Sequence, residues 1–174
     1  IADAEHLSEA WKWASQINRG ELTEESLHQK TLGNTGKELG WLVGMETANV
    51  PIAGVHSHIL DITGHTYATR QSKLREYYEF VDEMVGQLRR EVSKLVILSD
   101  HGMQVSWIDD ESPGSHSMRA MVSSTSNVDG SLPFSVFEVR EWLEANTGMA
   151  LEDDDTRATM DTAEGRLREL GYIE

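Results

Sequence analysis

The sequence predicts an α/β fold, a mostly parallel sheet flanked by helices on both faces. Three observations carry that expectation. Leu95, Val96, Ile97 and Leu98 form an unbroken apolar run, as in a strand buried on both faces. Leu74, Tyr77, Tyr78, Val81, Met84, Val85 and Leu88 make an amphipathic helix before it. Val50 to Leu60 reads as a strand before that helix, so the order is strand, helix, strand.

The elements follow in chain order. Leu7, Ala10, Trp11, Ala14 and Ile17 keep a helical spacing that Gly20 stops. Thr23, followed by Glu24 and Glu25, caps a short second helix, and Thr35 with Glu38 forms a capping box for a third carrying Leu39, Leu42, Val43 and Glu46. Residues 1–48 are thus a helical region that either caps or flanks the sheet, and residues 49–174 hold the α/β part. After Pro113-Gly114, Met118 to Ser123 is a further strand. Ser135 with Glu138 and Asp161 with Glu164 are spaced as capping boxes for two closing helices, the second stopped by Gly171. Asp153, Asp154 and Asp155 lack the alternating ligand pattern of an EF-hand and read as a solvated loop.

Composition removes several classes of function. The 174 residues suit one domain, and five tryptophans argue against a disordered acidic chain. With no cysteine there is neither a disulfide framework nor a thiol nucleophile. No apolar run is long enough to span a membrane, and no signal peptide opens the chain, so the expectation is a cytoplasmic protein. A net charge of −15 repels nucleic acid. Only five basic residues are Lys against ten Arg. That acidity is either ordinary solubility or adaptation to a high-salt cytoplasm, where screening removes the carboxylates' mutual repulsion.

The histidines point to chemistry. Ligands bind beyond the carboxyl ends of parallel strands. Asp61 and His65 follow the first expected strand, Asp100 and His101 follow the second, and His116 arrives from the next loop. A lone Asp-His pair in a loop is commonly just a hydrogen-bonded turn. Five carboxylate and imidazole groups at one sheet edge, however, suit two divalent metal ions, Zn, Mn or Fe, acting on oxygen chemistry. His56 and His58 share a face beside this edge, so His58 is a candidate substrate contact alongside its packing role. Arg70 and Lys73 lie just beyond His65, where they meet either a phosphate or solvent.

The ordered set Asp61-x-x-Gly64-His65, Ser99-Asp100-His101-Gly102-Met103 and Gly114-Ser115-His116 resembles the alkaline phosphatase superfamily. Its type I phosphodiesterase/nucleotide pyrophosphatase and sulfatase-like branches are the most similar, and the resemblance runs from about Val50 to Leu143. It implies an alkaline-phosphatase-like sheet and a hydrolase of phosphate mono- or diesters, or sulfate esters. Asp61, His65 and His116 would then hold one metal, and Asp100 and His101 a second, with Zn the first choice. The family also places a metal-binding Asp and a Thr or Ser nucleophile on an upstream strand. No such strand is legible in residues 1–49, and Thr23, Thr31, Thr35 and Thr47 lie in helical or turn contexts. The expectation is therefore the carboxyl-terminal part of a longer protein, lacking its first nucleophile-bearing strand and inactive alone. Its partners would be a small-molecule phosphate or sulfate ester and the missing amino-terminal half. The competing expectation is a non-catalytic half-domain whose metal is structural or whose surface binds a partner.

Overall fold

The computed structural model describes residues 12–13, 15–48, 50, 52–108, 111–125, 130–133 and 135–148. Residues 12–13 and 15–18 are helical, and Gly20 at φ +70° follows them. Four helices and four short strands come after: α1 Glu24–Thr47, α2 Ile59–Tyr67, α3 Gln71–Glu91, β1 Val96–Ser99, β2 Gly102–Met103, β3 His116–Ser117, β4 Met121–Ser124 and α4 Val136–Thr147. The expected helix after Asp161, the Asp153 to Asp155 loop and His6 lie outside the described residues.

Thr23 caps α1 as its sequence predicts, its hydroxyl accepting from the Ser26 N–H at 3.1 Å. The helix then runs on for 24 residues without the restart expected at Thr35. The Thr35 hydroxyl is turned back on the Thr31 carbonyl at 3.0 Å, and that of Thr31 on the Leu27 carbonyl at 2.9 Å. Thus neither is available as a cap. Ser135 does cap α4, accepting from the Phe137 N–H at 3.1 Å.

The strand expected over Val50 to Leu60 is not there. Residues 52–58 are irregular, and Ile59 opens helix α2. The reason is legible in the burial. Ile59, Ile62, Thr63 and Tyr67 are all buried, a spacing of three, four and eight residues that fits a helix and not a pleat. Thr63 and Thr66 satisfy their hydroxyls by donating to the Ile59 and Ile62 carbonyls, at 2.6 and 2.8 Å.

Among the described residues the strands pair antiparallel, and no parallel pair is formed. β1 pairs antiparallel with β4, Val96 opposite Ser124 and Ser99 opposite Met121, and β2 pairs antiparallel with β3. After β1 the chain turns back through the β2–β3 hairpin, so β4 returns alongside β1 in the opposite sense. What results is a mixed structure of helices with two small antiparallel sheets.

The core lies where α1, α2 and α3 meet. Trp13, Leu27, Ile59, Ile62, Tyr67, Leu74, Tyr77 and Val105 form one buried cluster. Tyr67 and Tyr77 stack with ring centroids 5.8 Å apart, and the Tyr77 hydroxyl meets His28 Nδ1 at 3.1 Å. On α3, Leu74, Tyr77 and Leu88 are buried as the stripe predicts, whereas Tyr78 is half exposed. Leu27 is fully enclosed. Leu27→Ala is expected to cost about 3 kcal/mol through lost burial and the cavity left behind, read as a lower urea midpoint at unchanged slope.

Candidate metal centre

Because Asp61 and His65 stand on a helix, four residues apart, their side chains lie one turn apart on the same face. That face borders the buried stripe, which holds α2 in place through Ile59, Ile62 and Tyr67. His116 comes from a distant part of the chain, as the first residue of β3.

One backbone bond ties the hairpin to the end of α2, and two more close the hairpin on itself. The Ser106 N–H donates to the Ala68 carbonyl at 3.0 Å. The Gln104 N–H donates to Ser115 O at 2.8 Å, and the Gly114 N–H to Gln104 O at 2.9 Å. Gly64, wholly buried on α2, leaves room for Met103 of β2: a Cβ there would stand 2.7 Å from the Met103 Cε. Gly114 turns at φ +92°, a conformation that L side chains rarely adopt, and it approaches the backbone of His65.

Three ligand atoms converge as a result. His65 Nε2 lies 3.2 Å from Asp61 Oδ1, His116 Nε2 lies 3.2 Å from the same oxygen, and the two imidazole nitrogens are 3.1 Å apart. Ligand atoms bound 2.0–2.1 Å from one ion at tetrahedral corners stand roughly 3.3 Å apart. The donor set therefore has the spacing of a coordination shell. His65 Nδ1–H donates to the Gly114 carbonyl at 2.5 Å, which leaves the Nε2 lone pair facing the other two ligands. Two bare imine nitrogens at 3.1 Å repel each other unless a proton or a cation lies between them. The residues fit a divalent ion.

The protonation balance is uneven across the three. Burial penalises the His65 cation, but its hydrogen bond and charge interaction with Asp61, and its bond to Gly114, outweigh that and raise its pKa. Burial likewise disfavours the Asp61 carboxylate, yet the hydrogen bond from His65 and the charges of His65, His116 and His101 hold it below the usual carboxylate range. For His116, burial and the neighbouring His101 lower the pKa despite the pull of Asp61. Of the two imidazoles, His65 is therefore the one whose protonation is favoured.

The remaining expected residues are placed differently. His101 stacks flat on His116, ring centroids 3.7 Å apart and planes 16° from parallel, while its Nδ1–H donates to Gly102 O at 3.1 Å. Its Nε2 is 3.7 Å from Asp100 Oδ1, and the Asp100 carboxylate is largely exposed. Neither residue joins the three-ligand cluster. His58 sits at the N-cap of α2, its ring 4.2 Å from that of His56, beside a shallow recess with Trp13 and Glu38. Arg70 pairs with Glu24 across to α1 and lies over the Tyr67 ring, and Lys73 pairs with Glu76 at 2.9 Å. The Ser99 hydroxyl donates to His101 O at 2.7 Å, shaping the loop.

Gln104 is absent from the sequence-derived site. Its side-chain Nε2–H donates to the His116 carbonyl at 3.1 Å. A single glutamine after a metal-binding motif carries no signal of its own. Only the return of the chain through Pro113-Gly114 brings it to His116.

Binding of a cation must displace the His65 proton. Because that pKa is raised, competition begins above the ordinary imidazole value near 6.5 and strengthens as the pH falls. His116, shifted down, stays neutral further into acid. Zn²⁺ affinity is expected to fall about tenfold per pH unit below the His65 pKa, with one proton released per ion by calorimetry in two buffers. A slope of two protons over the same range would contradict the assignment.

No curated protein and no solved structure matches the chain. A family comparison does: residues 10–113 match the family described as type I phosphodiesterase / nucleotide pyrophosphatase. The matched stretch contains Asp61, His65, Asp100 and His101 and ends just before Gly114 and His116. It covers more than half of the chain, consistent with the alkaline phosphatase superfamily resemblance, and the protein belongs to the type I phosphodiesterase / nucleotide pyrophosphatase family.

Proposed function

We propose that Asp61, His65 and His116 hold one divalent cation, Zn²⁺ above Mn²⁺ or Fe²⁺, in a metal-dependent hydrolase of phosphate (di)esters or sulfate esters. The observation that carries this reading is the convergence of one carboxylate oxygen and two imidazole nitrogens within 3.2 Å of one another. Two nitrogens and one oxygen without sulfur suit Zn²⁺ and leave a coordination position for a further ligand. Family membership supports small phosphate esters as the substrate class. The alkaline-phosphatase-like arrangement of the whole domain, with a parallel sheet, belongs to the same proposal and rests on that membership. The charge of −15 supports a chain adapted to a high-salt cytoplasm.

Once bound, the cation supplies Lewis acidity toward an ester oxygen and a counter-charge for the transition state. The chain's own residues prepare that position. Asp61 offers an ionised oxygen at neutral pH, the Gly114 carbonyl keeps the His65 proton on Nδ1, and His116 remains neutral beside it. Partial burial of all three lowers the local dielectric and strengthens their pull on positive charge. Asp100 and His101 are assigned to a second cation, and the contact of His101 with His116 supports a position adjoining the first. His58, Arg70 and Lys73 remain substrate-side candidates. The ion pairs of the two cations mean that an incoming anion would compete with Glu24 and Glu76.

The nucleophile is proposed to lie outside the 174-residue chain. Each threonine considered for that role is engaged with backbone: Thr23 caps α1, while Thr31, Thr35 and Thr47 donate to carbonyls one turn back. The same observation favours a second reading, a non-catalytic half-domain whose ion fastens α2 to the β2–β3 hairpin. Two measurements separate the readings. Zn²⁺ at 100 times its Kd is expected to stabilise the 174-residue chain by about 2.7 kcal/mol, roughly 5–10 °C in melting temperature, and His65→Ala to abolish that rise. Hydrolysis of bis(p-nitrophenyl) phosphate by this chain should stay near background. Strong turnover by this chain would overturn the placing of the nucleophile. Zn²⁺-dependent turnover by a protein extended with sequence encoded upstream of Ile1 supports the hydrolase, and inertness of that protein supports the half-domain.

A further inference from the structure

We infer that Gln104 is a positioning residue of the metal centre, holding both imidazole ligands through the loop of residues 114–116. The inference rests on the reading that Asp61, His65 and His116 bind a cation. Gln104 bonds to three successive residues of that loop. Its side-chain amide donates to the His116 carbonyl at 3.1 Å, its N–H donates to Ser115 O at 2.8 Å, and its carbonyl accepts from the Gly114 N–H at 2.9 Å. The Gly114 carbonyl in turn receives the His65 Nδ1–H. One residue therefore fixes the backbone of one ligand and, through the single residue Gly114, the ring orientation of another.

This geometry matters because the ligands come from separate elements. Asp61 and His65 are held by their own helix, but His116 lies at the start of a two-residue strand whose ladder involves only Gly102 and Met103. So short a ladder cannot by itself hold a side chain to the few tenths of an ångström that a metal ligand needs. The backbone bonds of Gln104 survive any side-chain substitution, whereas the amide bond to His116 does not. Replacing the side chain thus isolates the contribution of the amide. Val105 next to it is buried in the main core, so the brace is anchored on a fixed point.

The test uses Co²⁺ as the probe on the 174-residue chain, because its visible absorption reports coordination geometry independently of turnover. Gln104→Met keeps the length and removes the donor; Gln104→Glu, which places an acceptor against the carbonyl, serves where the Met variant does not fold. The expected result is a 10- to 100-fold loss of Co²⁺ affinity together with a changed visible band shape. The metal-free melting temperature should fall by no more than about 4 °C, the effect of one lost hydrogen bond. Unchanged affinity and band shape overturn the inference. So does weakened binding with an unaltered band and a larger melting loss, which marks general destabilisation. A parent chain that binds no Co²⁺ refutes the metal reading itself, and the inference falls with it.

Discussion

The hydrogen bond from His65 Nδ1 to the Gly114 carbonyl is the contact on which the site depends. It joins a helix to a hairpin 49 residues further along the chain, and it sets which nitrogen of His65 faces inward. Without it the ring would be free to rotate and to present Nδ1 in place of Nε2 to Asp61. The Gly114 carbonyl can reach His65 only because the chain turns there at a positive φ. Backbone conformation, tautomer and ligand geometry are therefore one linked arrangement.

Charge makes a second constraint. The protein is strongly acidic, so a cation approaches it in a favourable field wherever it lands. What distinguishes the Asp61 cluster is that its carboxylate is partly buried among imidazoles, whereas the Asp100 carboxylate is mostly in water. In solvent a carboxylate gains little from a single cation. Partial burial raises the cost of leaving Asp61 uncompensated, and the neighbouring carboxylate in turn favours a proton on His65, raising its pKa. Proton and metal are thus alternative counter-ions for the same oxygen.

The sequence made the elements with strong period or cap chemistry legible. Helix α3 and the caps at Thr23 and Ser135 formed where residue chemistry placed them, whereas the run Leu95 to Leu98, expected to be buried on both faces, gives a strand over Val96–Ser99 with Leu98 exposed and an antiparallel partner. Two misreadings have a physical cause. Ile59, Ile62, Thr63 and Tyr67 carry a helical period, but the apolar residues from Val50 to Leu60 suggested a strand that Asp61 and His65 merely follow. Thr35 and Glu38 have capping-box spacing inside a continuous helix, where a threonine can bond to the turn before it instead. That Asp61, His65 and His116 would converge was legible from the motifs and their order. The actual placement of Asp61 and His65 on one helical face was not, because it followed from the misassigned strand. Gln104 was illegible for a different reason, since its partner is set by how the hairpin folds back.

The family match and the geometry meet at different residues, and each supplies what the other lacks. The matched stretch ends at residue 113, so likeness of sequence covers two of the three clustered ligands and stops short of His116. Geometry adds the third, with His116 Nε2 at 3.2 Å from Asp61 and 3.1 Å from His65. Likeness of sequence also covers Asp100 and His101, where geometry gives a stacked ring and an open carboxylate in place of a cluster. Two ligands make a weak site, because each further donor adds bond energy at little additional entropic cost once the ion is held. A second cation at Asp100 and His101 therefore needs donors beyond those two. The three-ligand position can fill first, and an ion there would alter the field that a second one meets.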